Sequence, residues 1–268
     1  MCLILFAFQA HPRYSLMVAA NRDESFARPS EPAAFWPDHP DVHGGRDLEQ
    51  GGTWLALARD GRFAAVTNYR QRPRATAAPR SRGDLTRGYL TGTKPIRDYL
   101  ADIVQIPEEY RGYSLIAGTL DSLYFCSNRG EGVAPITPGV HGLSNGLLNE
   151  PWPKVLRGVS SLRALLDAEE AELEEALFEV LADRHTAPDH MLPSTGATLE
   201  HERDRSPAFI LGDHYGTRAS TVVLVGRNGE VLYCEKSFGP GGAPAGSTEH
   251  RFALTRELAV SGPIAAPG

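Results

Sequence analysis

The stretch Cys2-Leu3-Ile4-Leu5-Phe6-Ala7-Phe8, followed after His11-Pro12-Arg13 by Tyr14-Ser15-Leu16-Met17-Val18-Ala19-Ala20, decides the fold. Each run is short, apolar and bounded by turn residues, which predicts two strands, Leu3–Phe8 and Tyr14–Ala20. Strand hairpins recur along the chain. One is expected at about Trp54–Thr67, with Asp60-Gly61 as a type I′ turn signal, and another at Tyr113–Ser127 around Asp121-Ser122. A third runs from Ser220 to Glu235 across Asn228-Gly229, and Ala208–Leu211 and Arg251–Leu254 read as further strands.

Helical periodicity is confined to the middle of the chain. Ile96, Tyr99, Leu100, Ile103 and Val104 keep 3.6-residue spacing, as do Val155, Leu156, Val159, Leu162, Leu165 and Leu166. The clearest stripe is Leu173, Leu177, Val180 and Leu181, with Glu169-Glu170 where a helix dipole favours negative charge. Strands at both ends with amphipathic helices between them predict an α+β fold. Its expected form is a four-layer αββα sandwich of two stacked antiparallel sheets, in one domain over residues 1–268. The polar stretch His185–Ser206 reads as either a functional loop or disorder, and is expected to act as a mobile flap over the site. Pro240–Gly246 and residues 261–268 read as a flexible loop and tail.

Composition excludes several functional classes. With 41% hydrophobic and 22% charged residues the 268-residue chain is of ordinary globular type, and a net charge of −6 leaves no nucleic-acid footprint. Of 27 basic residues only Lys94, Lys154 and Lys236 are lysine, a bias that points to codon usage in a GC-rich, bacterial genome. Three unpaired cysteines, Cys2, Cys126 and Cys234, argue against a disulfide framework and a cysteine zinc site. No apolar run reaches the roughly 18 residues of a membrane span, and the N-terminus lacks a secretory pattern. The expectation is a reduced, cytoplasmic protein with no metal and no cofactor.

Cys2 carries the chemistry. Aminopeptidases remove an initiator methionine ahead of a small residue, which would place a free α-amine (ordinarily about 8) beside the Cys2 thiol (about 8.5). One residue then supplies nucleophile and base. Asn21-Arg22-Asp23-Glu24 follows directly on the second strand. Thr67-Asn68-Tyr69, Leu143-Ser144-Asn145 and Gly216-Thr217-Arg218 also sit at strand ends or in glycine-flanked loops. Asparagine amides at such positions can donate to a developing oxyanion, and arginine beside a thiol favours thiolate.

Met1-Cys2-Leu3-Ile4, Ala20-Asn21-Arg22-Asp23-Glu24, Gly51-Gly52-Thr53-Trp54-Leu55, Thr67-Asn68-Tyr69, Gly142-Leu143-Ser144-Asn145 and Gly216-Thr217-Arg218 together resemble the NRDE family, which includes the animal proteins called transport and Golgi organisation protein 2. That family is in turn distantly similar to cysteine N-terminal nucleophile hydrolases. The resemblance implies a catalytic set of Cys2, Arg22, Asp23, Asn145 and Arg218, with Asp23 orienting the α-amine and arginine near the thiolate. Asn21, Asn68 and Tyr69 are the expected substrate-binding residues. Two functional classes follow: an amidohydrolase or acyltransferase working through a Cys2 thioester on a small acyl or amide substrate, or a non-enzymatic protein that binds or carries haem, lipid or acyl-coenzyme A. No Cys-x-x-Cys-His signature supports covalent haem.

Overall fold

The computed structural model describes residues 2–70 and 78–255. In chain order the strands are β1 (Cys2–Phe8), β2 (Tyr14–Ser25), β3 (Ser30–Trp36), β4 (His39–Asp47), β5 (Leu55–Ala58), β6 (Arg62–Asn68), β7 (Tyr113–Thr119), β8 (Ser122–Ser127), β9 (Val133–Pro135), β10 (Gly139–Leu143), β11 (Tyr215–Gly226), β12 (Glu230–Phe238) and β13 (Pro244–Ala253). The helices are α1 (Gly83–Thr91), α2 (Ile96–Val104), α3 (Pro153–Ala164), α4 (Glu170–Leu181) and α5 (Leu199–Asp204).

Two antiparallel sheets form. One has the order β10-β1-β2-β11-β12-β13 and joins both ends of the chain; the other is a meander running from β3 to β9 in sequence. Every residue of β1 is buried, so its apolar run is continuous rather than alternating. The strand still divides its side chains between two faces. Ile4, Phe6 and Phe8 enter the core between the sheets with Leu16, Val18, Leu55, Phe63 and Val223. Leu3, Leu5 and Ala7 face α3 and α4 with Val155, Leu162, Leu173 and Leu177. A third cluster packs α1 and α2 on the outer face of the second sheet through Leu85, Tyr89, Leu100 and Ile103. The layers are therefore αββα, as the strand and helix distribution predicted. Close approach of α3 depends on Gly158, where a Cβ would come within 2.5 Å of Leu5 Cδ1.

Several local expectations need correction. At Asp60-Gly61 and Asn228-Gly229 only the glycines have positive φ (80° and 84°), so neither turn is type I′. Each uses one left-handed glycine, and Asp60 Oδ1 and Asn228 Oδ1 accept the backbone N–H two residues on. Ala208–Leu211 is not a strand; Ile210 instead donates to Thr217 Oγ1 and accepts from Thr217 N. His185–Ser206 contains a 3₁₀ turn at Asp189–Met191 and α5, and Pro240–Gly246 a 3₁₀ turn and the start of β13. β3, β4, α1, β9 and β10 were not legible as elements. Residues 261–268 lie outside the described residues.

His43 on β4 is fully buried against Phe35, Tyr233, His250 and Phe252, and neither ring nitrogen has a hydrogen-bond partner among the described residues. Burial, aided by the charges of His250 and Arg59, pushes its pKa down to about 3. The unfolded imidazole, near 6.5, binds a proton that the folded one refuses. Stability from this group is thus present above about pH 6.5 and falls toward pH 3, by about 1.4 kcal/mol per pH unit. His43→Phe should flatten the loss of urea stability between pH 7 and 4.5. An acid sensitivity equal to that of the parent chain would refute this assignment.

Candidate active site

Register builds the site. Cys2 pairs with Arg22 across β1 and β2, and Arg22 with Ala219 across β2 and β11. Strand alternation then splits the tetrapeptide Asn21-Arg22-Asp23-Glu24. Arg22 and Glu24 share the inter-sheet face with Cys2, while Asn21 and Asp23 project into the helix layer. A bulge between Thr217 and Ala219 leaves Arg218 as the extra residue on β11. Bulges of this kind re-aim a side chain at the end of a ladder.

Between the open ends of the sheets lies a cavity of about 580 Å³, lined by Cys2, Arg22, Glu24, Asn68, Arg82 and Arg218 among others. Its wall is rich in arginine. Arg28 is paired with Asp47 and Glu49, whereas among the described residues Arg22, Arg82, Arg111 and Arg218 have no carboxylate within ion-pair distance. Burial pushes the Arg82 guanidinium down to about 10, and the nearby charge of Cys2 opposes that fall. Arg218 does not bridge to Asp23 or Glu24. Its Nη1 donates to the carbonyls of Ser25 (3.2 Å) and Arg28, tying down the β2–β3 turn. The cavity also exposes the buried Glu235, which accepts from Ala33 N (2.9 Å) and Thr221 Oγ1 (3.1 Å) and so joins the two sheets.

On the helix side the contacts are structural in type. Asn21 is fully buried; its Nδ2 donates to the carbonyls of Leu181 (2.8 Å) and Ala208 (2.9 Å), and its Oδ1 accepts from Ser220 Oγ (2.6 Å). The Leu181 carbonyl is one that α4 leaves unbonded at its C-terminus. Asp23 borders the cavity, but its carboxylate turns to β11, where Thr217 Oγ1 donates to Oδ1 (2.7 Å). Tyr215 Oη donates to the Asp23 carbonyl (3.0 Å). Burial pushes the Asp23 carboxyl up, opposed by the charge of Lys154 and by the Thr217 hydrogen bond.

The central loop meets Cys2 from the other side. Ser144 Oγ donates to the Cys2 carbonyl (3.0 Å), and Asn145 Nδ2 donates to the Asn68 carbonyl (2.8 Å). Asn145 and Tyr69 line a second cavity of about 700 Å³ with Arg70, Trp152 and Thr195; Asn68 lines the first. The structure thus brings Cys2, Arg22, Asn68 and Arg218 to one cavity with Asp23 at its edge. Asn145 and Tyr69 stand behind the Asn68 wall, and Asn21 reaches neither cavity. The 185–206 segment covers the second cavity, not the Cys2 cavity. Arg82, Lys154 and Glu235 belong to the site neighbourhood but carried no site signal in the sequence, because each lies outside a motif.

Cys2 is 8% exposed, and burial raises its thiol pKa. Asp23 raises it further, while a hydrogen bond from the Asp23 backbone N–H and the charge of Arg22 pull it down. The sequence led to the expectation that arginine would lower this thiol; burial outweighs it. Burial pushes Cys126 and Cys234 up to about 12. Glu174, Cys234 and Glu249 bring ligand atoms within 4.8 Å of one another, outside the Cys2 cavity. Among the described residues no helix is long and apolar enough to cross a membrane.

The site defines a class of protein: a layered sandwich whose first strand delivers a cysteine to an arginine-lined cavity between its sheets. The chain belongs to the transport and Golgi organisation 2 family, which matches residues 1–240. The mouse transport and Golgi organization 2 homolog is 35% identical, with 88% of this chain and 93% of the mouse protein covered. The Drosophila melanogaster transport and Golgi organization protein 2 is 28% identical over 88% of this chain and 92% of its own. Among solved structures, the C2A conjugated bile acid hydrolase of Clostridium perfringens aligns over 95% of this chain and 92% of its own, at 9% identity and a TM-score of 0.49. A Caenorhabditis elegans N-acylethanolamine-hydrolyzing acid amidase ortholog aligns over 83% and 92%, at 10% identity and a TM-score of 0.47.

The two halves of the tetrapeptide should separate experimentally. Asn21→Ala strands two buried carbonyls and one hydroxyl, so it should cost about 2–4 kcal/mol in urea unfolding. Arg22→Ala should cost under about 1 kcal/mol and should slow alkylation of Cys2. Equal losses of stability from both changes would contradict the split across the sheet.

Proposed function

We propose that the chain is an N-terminal cysteine hydrolase of small acyl amides. The observation that carries this reading is the position of Cys2: its sulfur faces a cavity of about 580 Å³, beside the Asp23 backbone N–H and in the field of Arg22. Once Met1 is removed, the α-amine takes the thiol proton and the sulfur attacks the amide carbonyl carbon. The tetrahedral oxyanion then collapses, the C–N bond breaks, and the ammonium returns the proton to the leaving amine. Water cleaves the resulting thioester and releases a carboxylic acid and the free thiol. Transfer to an acceptor amine in place of water would make the same site an acyltransferase.

The other residues take roles suited to their positions. Asn68 and Arg82 line the cavity and are the candidate donors to the oxyanion. Asn145 acts behind them, holding the Asn68 backbone in place. Arg218 keeps the cavity mouth in shape through the Ser25 and Arg28 carbonyls and offers a planar donor to an anionic acyl group. Asp23 orients the amine. A carrier of haem, lipid or acyl-coenzyme A could use the same cavity without a trimmed terminus, so processing of the chain separates the two readings.

Intact mass of the purified protein should show Met1 removed. Iodoacetamide should modify Cys2 ahead of Cys126 and Cys234, whose thiols stay protonated to about pH 12. Cys2→Ala should lower hydrolysis of chromogenic N-acyl amides by about 10³-fold or more at unchanged melting temperature. Full retention of Met1, or activity surviving Cys2→Ala, would sink the mechanism.

A further inference from the structure

Lys154 is the most unusually placed charge in the molecule. It is the second residue of α3, after Trp152 and Pro153, and it is 3% exposed. Its Nζ has no hydrogen-bond partner among the described residues. Two effects oppose a cation there. Burial penalises the charge, and a helix N-terminus is itself positive, with no acidic residue in the first turn of α3 to offset it. Burial accordingly pushes the Lys154 pKa down. The charges that face it are Asp23 and Cys2, which favour the ammonium, and Arg70 and Arg205, which oppose it.

Those two arginines are already engaged. Arg70 pairs with the buried Glu202 of α5 at 2.7 Å, and Arg205 lies 4.7 Å over the Tyr215 ring. Among the charges that act on Lys154, Asp23 is the strongest that favours the ammonium, although Nζ makes no hydrogen bond to it among the described residues. The ladder shows where Cys2 stands relative to both. Cys2 is opposite Arg22, and β2 continues to Asp23, so the Cys2 nitrogen lies on the Asp23 side of that pair. An α-amine freed at Cys2 would lie at the Asp23 end of this ladder.

The geometry points to Lys154 as a positioning residue of the Cys2 site: its ammonium balances Asp23 behind the nucleophile, so that Asp23 orients the α-amine without holding it protonated. This inference rests on the N-terminal nucleophile reading and adds a residue to it. A base must be unprotonated to accept the thiol proton, and a lone buried carboxylate beside an amine favours the ammonium. A second cation in the layer cancels that effect. Lys154 touches no substrate in this scheme; it acts through Asp23 and the amine.

The test compares Lys154→Met and Lys154→Arg in protein shown by mass to begin at Cys2, following Cys2 alkylation by iodoacetamide against pH. Lys154→Met should move the midpoint upward by about one pH unit, because both the amine and the thiol then hold their protons more tightly. Lys154→Arg keeps the charge and should leave the midpoint near that of the parent. Melting temperature should fall in Lys154→Met, since Asp23 is left without its balancing charge, and should hold in Lys154→Arg. A folded, trimmed Lys154→Met protein with an unmoved midpoint overturns the assignment alone; retained Met1 overturns the reading beneath it as well. A second measurement does not depend on that variant folding. With three lysines in the chain, the Lys154 ¹⁵Nζ signal can be titrated directly. Asp23→Asn should lower its midpoint by about one unit or more, and an unchanged midpoint would overturn the pairing.

Discussion

The ladder joining β1, β2 and β11 is the constraint on which the rest of the structure depends. Cys2 opposite Arg22, and Arg22 opposite Ala219, sets which side of the first sheet every neighbouring residue occupies. A slip of one residue would carry Ile4, Phe6 and Phe8 out of the inter-sheet core and take Cys2 out of the cavity. Core packing and site geometry are therefore the same fact. Ile4 and Phe6 secure the register, and the register aims the thiol.

The two faces of that sheet do different work at its open end. The inter-sheet face presents Cys2 with arginine guanidiniums, and the helix side buries Asn21, Asp23 and Lys154 of α3. Asn21 links strand, helix end and loop through three hydrogen bonds, which makes the covering layer continuous with the strand that carries the site. The bulge at Arg218 lets β11 support both faces. Thr217 serves Asp23 on one side, and Arg218 holds the β2–β3 turn on the other.

Burial is the dominant electrostatic influence here. It raises the Cys2 thiol despite Arg22, raises Asp23 despite Lys154, and lowers Lys154 despite Asp23. Each charge in this layer is disfavoured alone and tolerated in company, which is the condition under which proton positions respond to small changes in neighbours. The arginine-lined cavity in front is more open to water, and its cations are correspondingly easier to satisfy.

The sequence by itself determined β1 and β2, because they are apolar runs bounded by turn residues, and it determined the central helices α2, α3 and α4, whose stripes repeat at 3.6 residues. It also marked Cys2, Arg22, Asn68 and Arg218, since each sits at a strand end where packing does not call for it. It did not reveal β3, which carries Glu31 and Pro32, or β4, which carries His43, Gly44, Gly45 and Arg46 in place of an alternating apolar pattern. Nor could it separate Asn21 and Asp23 from Arg22 and Glu24. Four adjacent polar residues look alike until a register assigns them to faces. Lys154 was legible only as a rare lysine after a proline. Its burial depends on α3 crossing β1 at Gly158 against Leu5, a contact between residues 153 positions apart that no local pattern encodes.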